Sequence, residues 1–263
     1  MERLSTYGGV RGLGLSGSIA FGLAATMGLL GYIFFYWGVN SKKISRAGLI
    51  FLFIICFIAS LSAGRTSFLG FLLGFAFSYL PKIRIISTFK SILILIIIIS
   101  LLTLFITSTT EFDSVINTYS NYAFQPIYNY LETGSFSVSS TEILQRMYFL
   151  PSDTLTILFG DGRYTNADHS YYMNTDAGYM RFLLYFGLLG SIVPYIGFIY
   201  ICMYLSKINK NNKLFFLGVL ILSFIYHYKG EIILFNVSFM KIIFIIGFFD
   251  ILAAKNKVLK YQQ

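Results

Sequence analysis

From Phe159 to Ile192 the chain reads FGDGRYTNADHSYYMNTDAGYMRFLLYFGLLGSI. A polar loop rich in Gly and Asn ends in Asp176-Ala-Gly-Tyr-Met-Arg181. It passes directly into about 24 mostly apolar residues, a length that crosses a hydrocarbon layer as a helix. The same window holds Asp161, Asp168, Asp176, Arg163, Arg181 and His169, one of only 2 histidines in 263 residues. Reactive groups are therefore gathered where a loop meets a membrane. Ionisable groups beside lipid are costly, which makes them functional candidates.

The rest of the composition agrees. Hydrophobic residues are 56% of the chain and charged residues 12%. A water-soluble domain has no interior large enough for that share, so the sequence reads as an all-α integral membrane protein. Aromatic residues, at 19%, suit interfacial and lipid-facing positions. Cys56 and Cys202 both fall in apolar runs, which argues against a disulfide or metal framework and for small buried side chains.

The net charge of +9 is sorted by side rather than pooled in a nucleic-acid patch. Twelve of the 20 basic residues lie in four segments: Lys42, Lys43, Arg46; Lys82, Arg84, Lys90; Lys207, Lys210, Lys213; and Lys255, Lys257, Lys260. Eight of the 11 acids lie between Ser108 and Gly178, against Arg146 and Arg163 alone, a formal charge of −6. Basic clusters mark cytoplasmic loops. Seven apolar runs, at 17–39, 47–63, 66–80, 91–107, 179–205, 214–228 and 232–253, place two crossings between successive basic clusters. That parity puts all four clusters inside, and Arg65, the acidic loop and the 227–231 turn outside. The expected organisation is an N-terminal block of four spans (1–107), an extracytoplasmic loop domain (108–178), and three further spans with a cytoplasmic tail (179–263). The location expected is the cytoplasmic (inner) membrane, with lipid as the first partner and no nucleic acid.

Local signals refine this. Gly22, Gly28 and Gly31 in the first run and Gly70 and Gly74 in the third would allow close helix packing. Ser139-Ser-Thr-Glu142 is a capping box and predicts a helix near 140–150. Residues 113–130 read as a helix lying on the membrane. The opening MERLSTYGGVRGLGLS, outside and without a signal peptide, reads as an outer loop, so the chain is expected to be the C-terminal part of a longer polytopic protein.

No P-loop, dinucleotide fingerprint, metal-spaced His pair or Asp-x-Asp motif is present, so metal-independent chemistry without a cofactor is expected. The outer-face cations are Arg11, Arg65, Arg163, Arg181 and Lys229. An arginine fork grips phosphate bidentately; each cation could instead anchor at the interface or pair with a loop acid. His169 could act as a general base or be a solvated loop residue. Asp168 and Asp176 are the further candidates for a base. His227, Lys229 and Glu231 cluster before the last run, with His227 and Glu231 on one helix face if the helix continues. Lys241 falls inside a run and calls for a buried partner.

The LFGDGR turn, the long outer loop, TDAGYMRFLLYFGLLGS leading into a span, the SAGRTS hairpin and HYKGE before the last span resemble the Wzy-type polymerases of O-antigen and capsular polysaccharide, relatives of the O-antigen ligases. The resemblance implies a GT-C-like multi-pass enzyme joining polyprenyl-diphosphate-linked repeat units on the outer face. Flippase and chain-length regulator proteins are the implied partners. Arg11 and Gly22 fit the polymerases' spacing of Arg, ten residues, Gly. In the ligase pattern nine residues separate the polar residue after His from Gly; here seven lie between Ser170 and Gly178, so ligase is the second choice. A non-catalytic lipid-linked sugar transporter and an inactive fragment also compete with the polymerase reading. On the preferred reading Arg65, Arg181, Arg163 and Arg11 hold the diphosphate, and His169, Asp168 or Asp176 activates the acceptor hydroxyl.

Overall fold

A computed structural model describes residues 21–38, 45–79, 129–131, 134, 139–208 and 212–261. Arg11, the 91–107 run, most of the expected surface helix at 113–130 and the 82–90 basic segment lie outside these residues. Among the described residues the fold is helical, and strand pairing is limited to one isolated bridge, Thr165 to Tyr171. A helix satisfies its own backbone, which lipid requires.

The helices are α1 (Phe21–Ile33, continued as a π turn over Phe34–Gly38), α2 (Arg46–Ala63), α3 (Phe68–Tyr79), α4 (Ser139–Arg146), α5 (Thr154–Phe159), α6 (Gly178–Ile208), α7 (Lys213–Lys229) and α8 (Val237–Tyr261). Among the described residues three stretches are long and apolar enough to cross a membrane: Phe21–Gly38, Gly178–Ile208 and Val237–Asn256. The other described runs are shorter helices. The helix expected near 140–150 stops at Arg146, and α5 starts from its own cap, where the Asp153 carboxylate accepts the Leu155 amide at 3.1 Å.

Lipid tails solvate Leu and Phe as well as a protein core does, so close approach and interhelical hydrogen bonds must hold such a bundle. The glycines supply the approach. A Cβ on Gly70 of α3 would lie 1.9 Å from the Gly28 carbonyl oxygen of α1, and one on Gly31 would lie 2.2 Å from the Phe71 ring. The hydrogen bonds come at helix ends. Tyr226 of α7 accepts the Gly70 amide at 3.1 Å, one of the amides that the start of α3 leaves without a helical partner. Ser67 donates to the Ser60 and Gly64 carbonyls at the end of α2. Tyr32 donates to the Phe215 carbonyl at 3.0 Å, and Trp37 stacks on Phe215. Around these contacts pack Leu29, Phe216, Val219, Leu222, Phe239 and Ile243, all fully buried. Residues 47–79 therefore form the helical hairpin expected, with Arg65 in the 3-10 turn Arg65–Ser67 at its tip.

Two of the runs depart from a continuous helix. The 179–205 run is a candidate span, but α6 breaks at Gly187, whose φ of 67° is left-handed. The 232–253 run starts its helix only at Val237. Before it, Gly230 is extended, Leu234 has a φ of 59°, and Asn236 caps α8 by accepting the Phe239 amide at 3.0 Å.

Candidate functional site

The break at Gly187 organises the loop end of the bundle. Stopping the first half of α6 orphans its last carbonyls. Loop amides and a hydroxyl of the second half of α6 satisfy them: the Asp161 amide donates to the Leu184 carbonyl at 2.7 Å, the Gly162 amide to that of Tyr185 at 3.2 Å, and the Ser191 hydroxyl to that of Phe182 at 3.0 Å. Only glycines fit the contact, since a Cβ on Gly160 would meet the Tyr185 oxygen at 2.5 Å and one on Gly187 the Leu158 oxygen at 2.3 Å. Asp161 is the latch. Its carboxylate accepts Thr156 of α5 at 2.7 Å and Tyr172 at 2.9 Å. This carboxylate of the 159–192 window is thus committed to structure.

The start of α6 is equally constrained. Thr175 accepts the Ala177 amide and donates to the Met147 carbonyl. A Cβ on Gly178 would strike the His227 and Gly230 carbonyls at 2.2 and 2.6 Å. The first turn of α6 therefore lies against the end of α7, which brings Arg181 to Glu231.

Arg181 is 6% exposed and Glu231 15%, with Nε 3.3 Å from Oε1 but not aligned for a hydrogen bond. The guanidinium lies 3.7 Å from the Tyr164 ring centroid and 4.5 Å from that of Tyr171, and it donates to the Tyr164 carbonyl at 3.3 Å. Each cation–π contact adds about 0.5–2 kcal/mol. The Tyr164 hydroxyl donates to Glu231 Oε2. Burial raises the Glu231 carboxyl above the usual range, with the Tyr164 hydrogen bond and Arg181 pulling it back. Burial, and then the bond to Glu231, raise the Tyr164 phenol.

Asp176 stands between Arg181 and Lys229. The residue is exposed at the surface; partial desolvation of its carboxyl raises it, and the two cations oppose the rise. Lys229 donates to Thr66 at 3.4 Å and lies 6.0 Å from the Phe21 ring, so it meets the α2–α3 hairpin next to Arg65. One end of the bundle thus collects Arg65, Asp176, Arg181, Lys229 and Glu231 from three segments far apart in sequence.

Other candidates fall elsewhere. His227 is fully buried, and its Nδ1 accepts the Ile232 and Ile233 amides at 3.2 and 3.3 Å. That assigns the ring proton to Nε2, which faces the Tyr195 hydroxyl at 3.1 Å. His227 is a cap for the turn after α7, and because that helix stops at Lys229 it does not share a helix face with Glu231. Asp168 and His169 lie in a tight turn. The Asp168 carboxylate accepts the Ser170 amide and hydroxyl, which hold its pKa below the ordinary value. It therefore does not orient the exposed His169 ring. Arg163 is exposed in the loop near Tyr172. Lys241 is exposed on α8, not buried against a partner.

Sequence reasoning overlooked Tyr164 and Tyr171, the plates around Arg181. The signal was present: Tyr164, Tyr171, Tyr172, Tyr179 and Tyr185 crowd the 22 residues that also hold Arg181. No family model, curated protein or solved structure matches this chain.

Proposed function

We propose that the chain polymerises lipid-linked glycan repeat units at the outer face of the cytoplasmic membrane, as its resemblance to Wzy-type polymerases implies. The observation that carries the reading furthest is the packing of Gly178 on the His227 and Gly230 carbonyls, which brings the exposed carboxyl of Asp176 under the influence of both Arg181 and Lys229 where the loop meets the helix ends. An acid shifted toward neutrality can take a proton from a sugar hydroxyl, and adjacent cations suit a diphosphate leaving group. The acceptor oxygen attacks the anomeric carbon of the growing chain. The bond from that carbon to the diphosphate oxygen breaks, polyprenyl diphosphate departs, and the hydroxyl proton passes to Asp176.

The geometry redistributes the roles expected from sequence. On this reading Arg181, paired with Glu231 and stacked on two rings, positions the site, and Lys229 and Arg65 meet the leaving diphosphate. Asp176 replaces His169 as the preferred base.

The test replaces the native residue in the host cell. Asp176→Asn should abolish long glycan and accumulate single lipid-linked repeat units at unchanged protein level, with transfer in isolated membranes falling by about 10²-fold or more. In wild-type membranes transfer should decline as pH falls through the raised Asp176 value, because the base must be unprotonated. Normal glycan length in Asp176→Asn removes the reading. Full-length glycan accumulating on its lipid carrier would convert it to ligase.

A further inference from the structure

The loop tip carries a second feature, outside the acid–cation cluster. An open cleft of about 460 Å³ is lined by His169, Ser170, Tyr171 and Asn174. Its volume falls in the range of small-molecule sites. Tyr171 is 44% exposed and is steadied by the Arg181 guanidinium against its ring. Among the described residues no hydrogen bond engages the His169 ring or the Asn174 carboxamide.

The frame around the cleft is a turn of unusual backbone conformation. His169, Met173 and Asn174 have φ of 63°, 52° and 54°, left-handed values that are costly for residues other than glycine. Such conformations persist where their surroundings over-determine them. Here the Asn166 carboxamide donates to the Ser170 hydroxyl at 2.9 Å and the Tyr171 carbonyl at 3.2 Å, while Ser170 donates to Asp168 at 2.6 Å. The Thr165–Tyr171 bridge closes the turn. Ser170 and Asp168 are thereby used up as framework. One aromatic ring, one carboxamide and one imidazole are left facing the cleft.

We infer that this cleft is a subsite for an uncharged saccharide. A pyranose has an apolar face of polarised C–H groups that complements the negative face of an aromatic ring. Its rim of hydroxyls both donates and accepts, which a carboxamide matches and an imidazole ring nitrogen can join. The cleft matches those demands with Tyr171, Asn174 and His169, and the nearest carboxylate, Asp168, is turned onto Ser170. The inference rests on the glycan reading above and deepens it. It makes His169 a binding residue and leaves Asp176 the base.

The experiment is saturation-transfer NMR on the full chain in lipid nanodiscs. The probes are the methyl glycosides of glucose, galactose, rhamnose and N-acetylglucosamine, with methyl glucuronide as the charged control. Transfer to at least one uncharged glycoside is expected, strongest at its ring C–H protons. Tyr171→Leu and Asn174→Ala should each weaken binding by about tenfold. Tyr171→Phe keeps the ring and should bind like wild type, which separates stacking from misfolding. No transfer from any uncharged probe, preference for the glucuronide, or unchanged binding in Tyr171→Leu and Asn174→Ala overturns the inference. The assay needs no glycosyl transfer. A failure of the Asp176 test therefore removes the polymerase reading and leaves this result standing, while wild-type binding in the two variants removes the subsite alone.

Discussion

Arg181 and His169 lie twelve residues apart in one window, and their surroundings are opposite. Arg181 is 6% exposed, paired with Glu231 and plated by two tyrosines. His169 is exposed at the tip of a turn whose hydrogen bonds bypass its ring. Both looked like site residues, Arg181 for the diphosphate and His169 for the base, because both are ionisable and close to a span. The comparison teaches that a buried ion pair spends a cation on architecture, while an exposed turn leaves its side chain available to a ligand.

The strongest way to break this contrast is to cut the pair. Arg181→Ala leaves Glu231 buried without its cation and should destabilise the protein by about 3–5 kcal/mol, read as thermal unfolding in detergent. Replacing both partners, as Arg181→Met with Glu231→Leu, should recover much of the loss. Wild-type stability in Arg181→Ala would place the arginine with the exposed group. Arg181→Lys should fall short of wild type, since an ammonium lacks the plane that stacks between the rings.

The break in α6 comes next. Gly187→Ala adds a methyl group 2.3 Å from the Leu158 oxygen at a left-handed φ, with an expected cost of about 1–3 kcal/mol. Unchanged unfolding would mean that the helix is straight there and the Asp161 latch unnecessary.

A subtler effect is pH dependence. Burial raises the Glu231 carboxyl above its value in an unfolded chain. The folded state then holds a proton that the unfolded chain has lost, so stability is greater below the ordinary glutamate range and declines as pH rises through the folded value. Glu231→Gln should flatten that part of the profile, and an unaltered profile would sever the link. The smallest effect is expected at the exposed end: His169→Ala should shift stability by no more than about 0.5 kcal/mol while weakening saccharide binding. A large loss of stability there would erase the contrast.

Much of the helical layout could be read in advance because its causes are local. The apolar runs at 47–63 and 66–80 became a hairpin with Arg65 at its tip, and Gly28 and Gly70 became a backbone contact. The site was less legible. Arg181 and Asp176 were candidates, but nothing local showed that Glu231, 50 residues later, would take up the guanidinium. His227 looked like a member of an exposed ion pair or a reactive pair with Glu231 until the stop at Lys229 turned it into a cap. Gly187 looked like any other small residue in an apolar run, because hydropathy is blind to a left-handed φ.

The sequence by itself determined that this chain is a helical protein of the membrane, since apolar content and run length depend on composition and order alone. It also determined that the chain's reactive side chains are concentrated in the acidic loop and at the helix ends around it. Which of those side chains are free to act was decided only by the tertiary structure. The fate of a charge depends on the partner and the solvent around it, and those were supplied by the breaks after Phe186 and Lys229, which brought Tyr164, Arg181 and Glu231 together and left the His169 turn open.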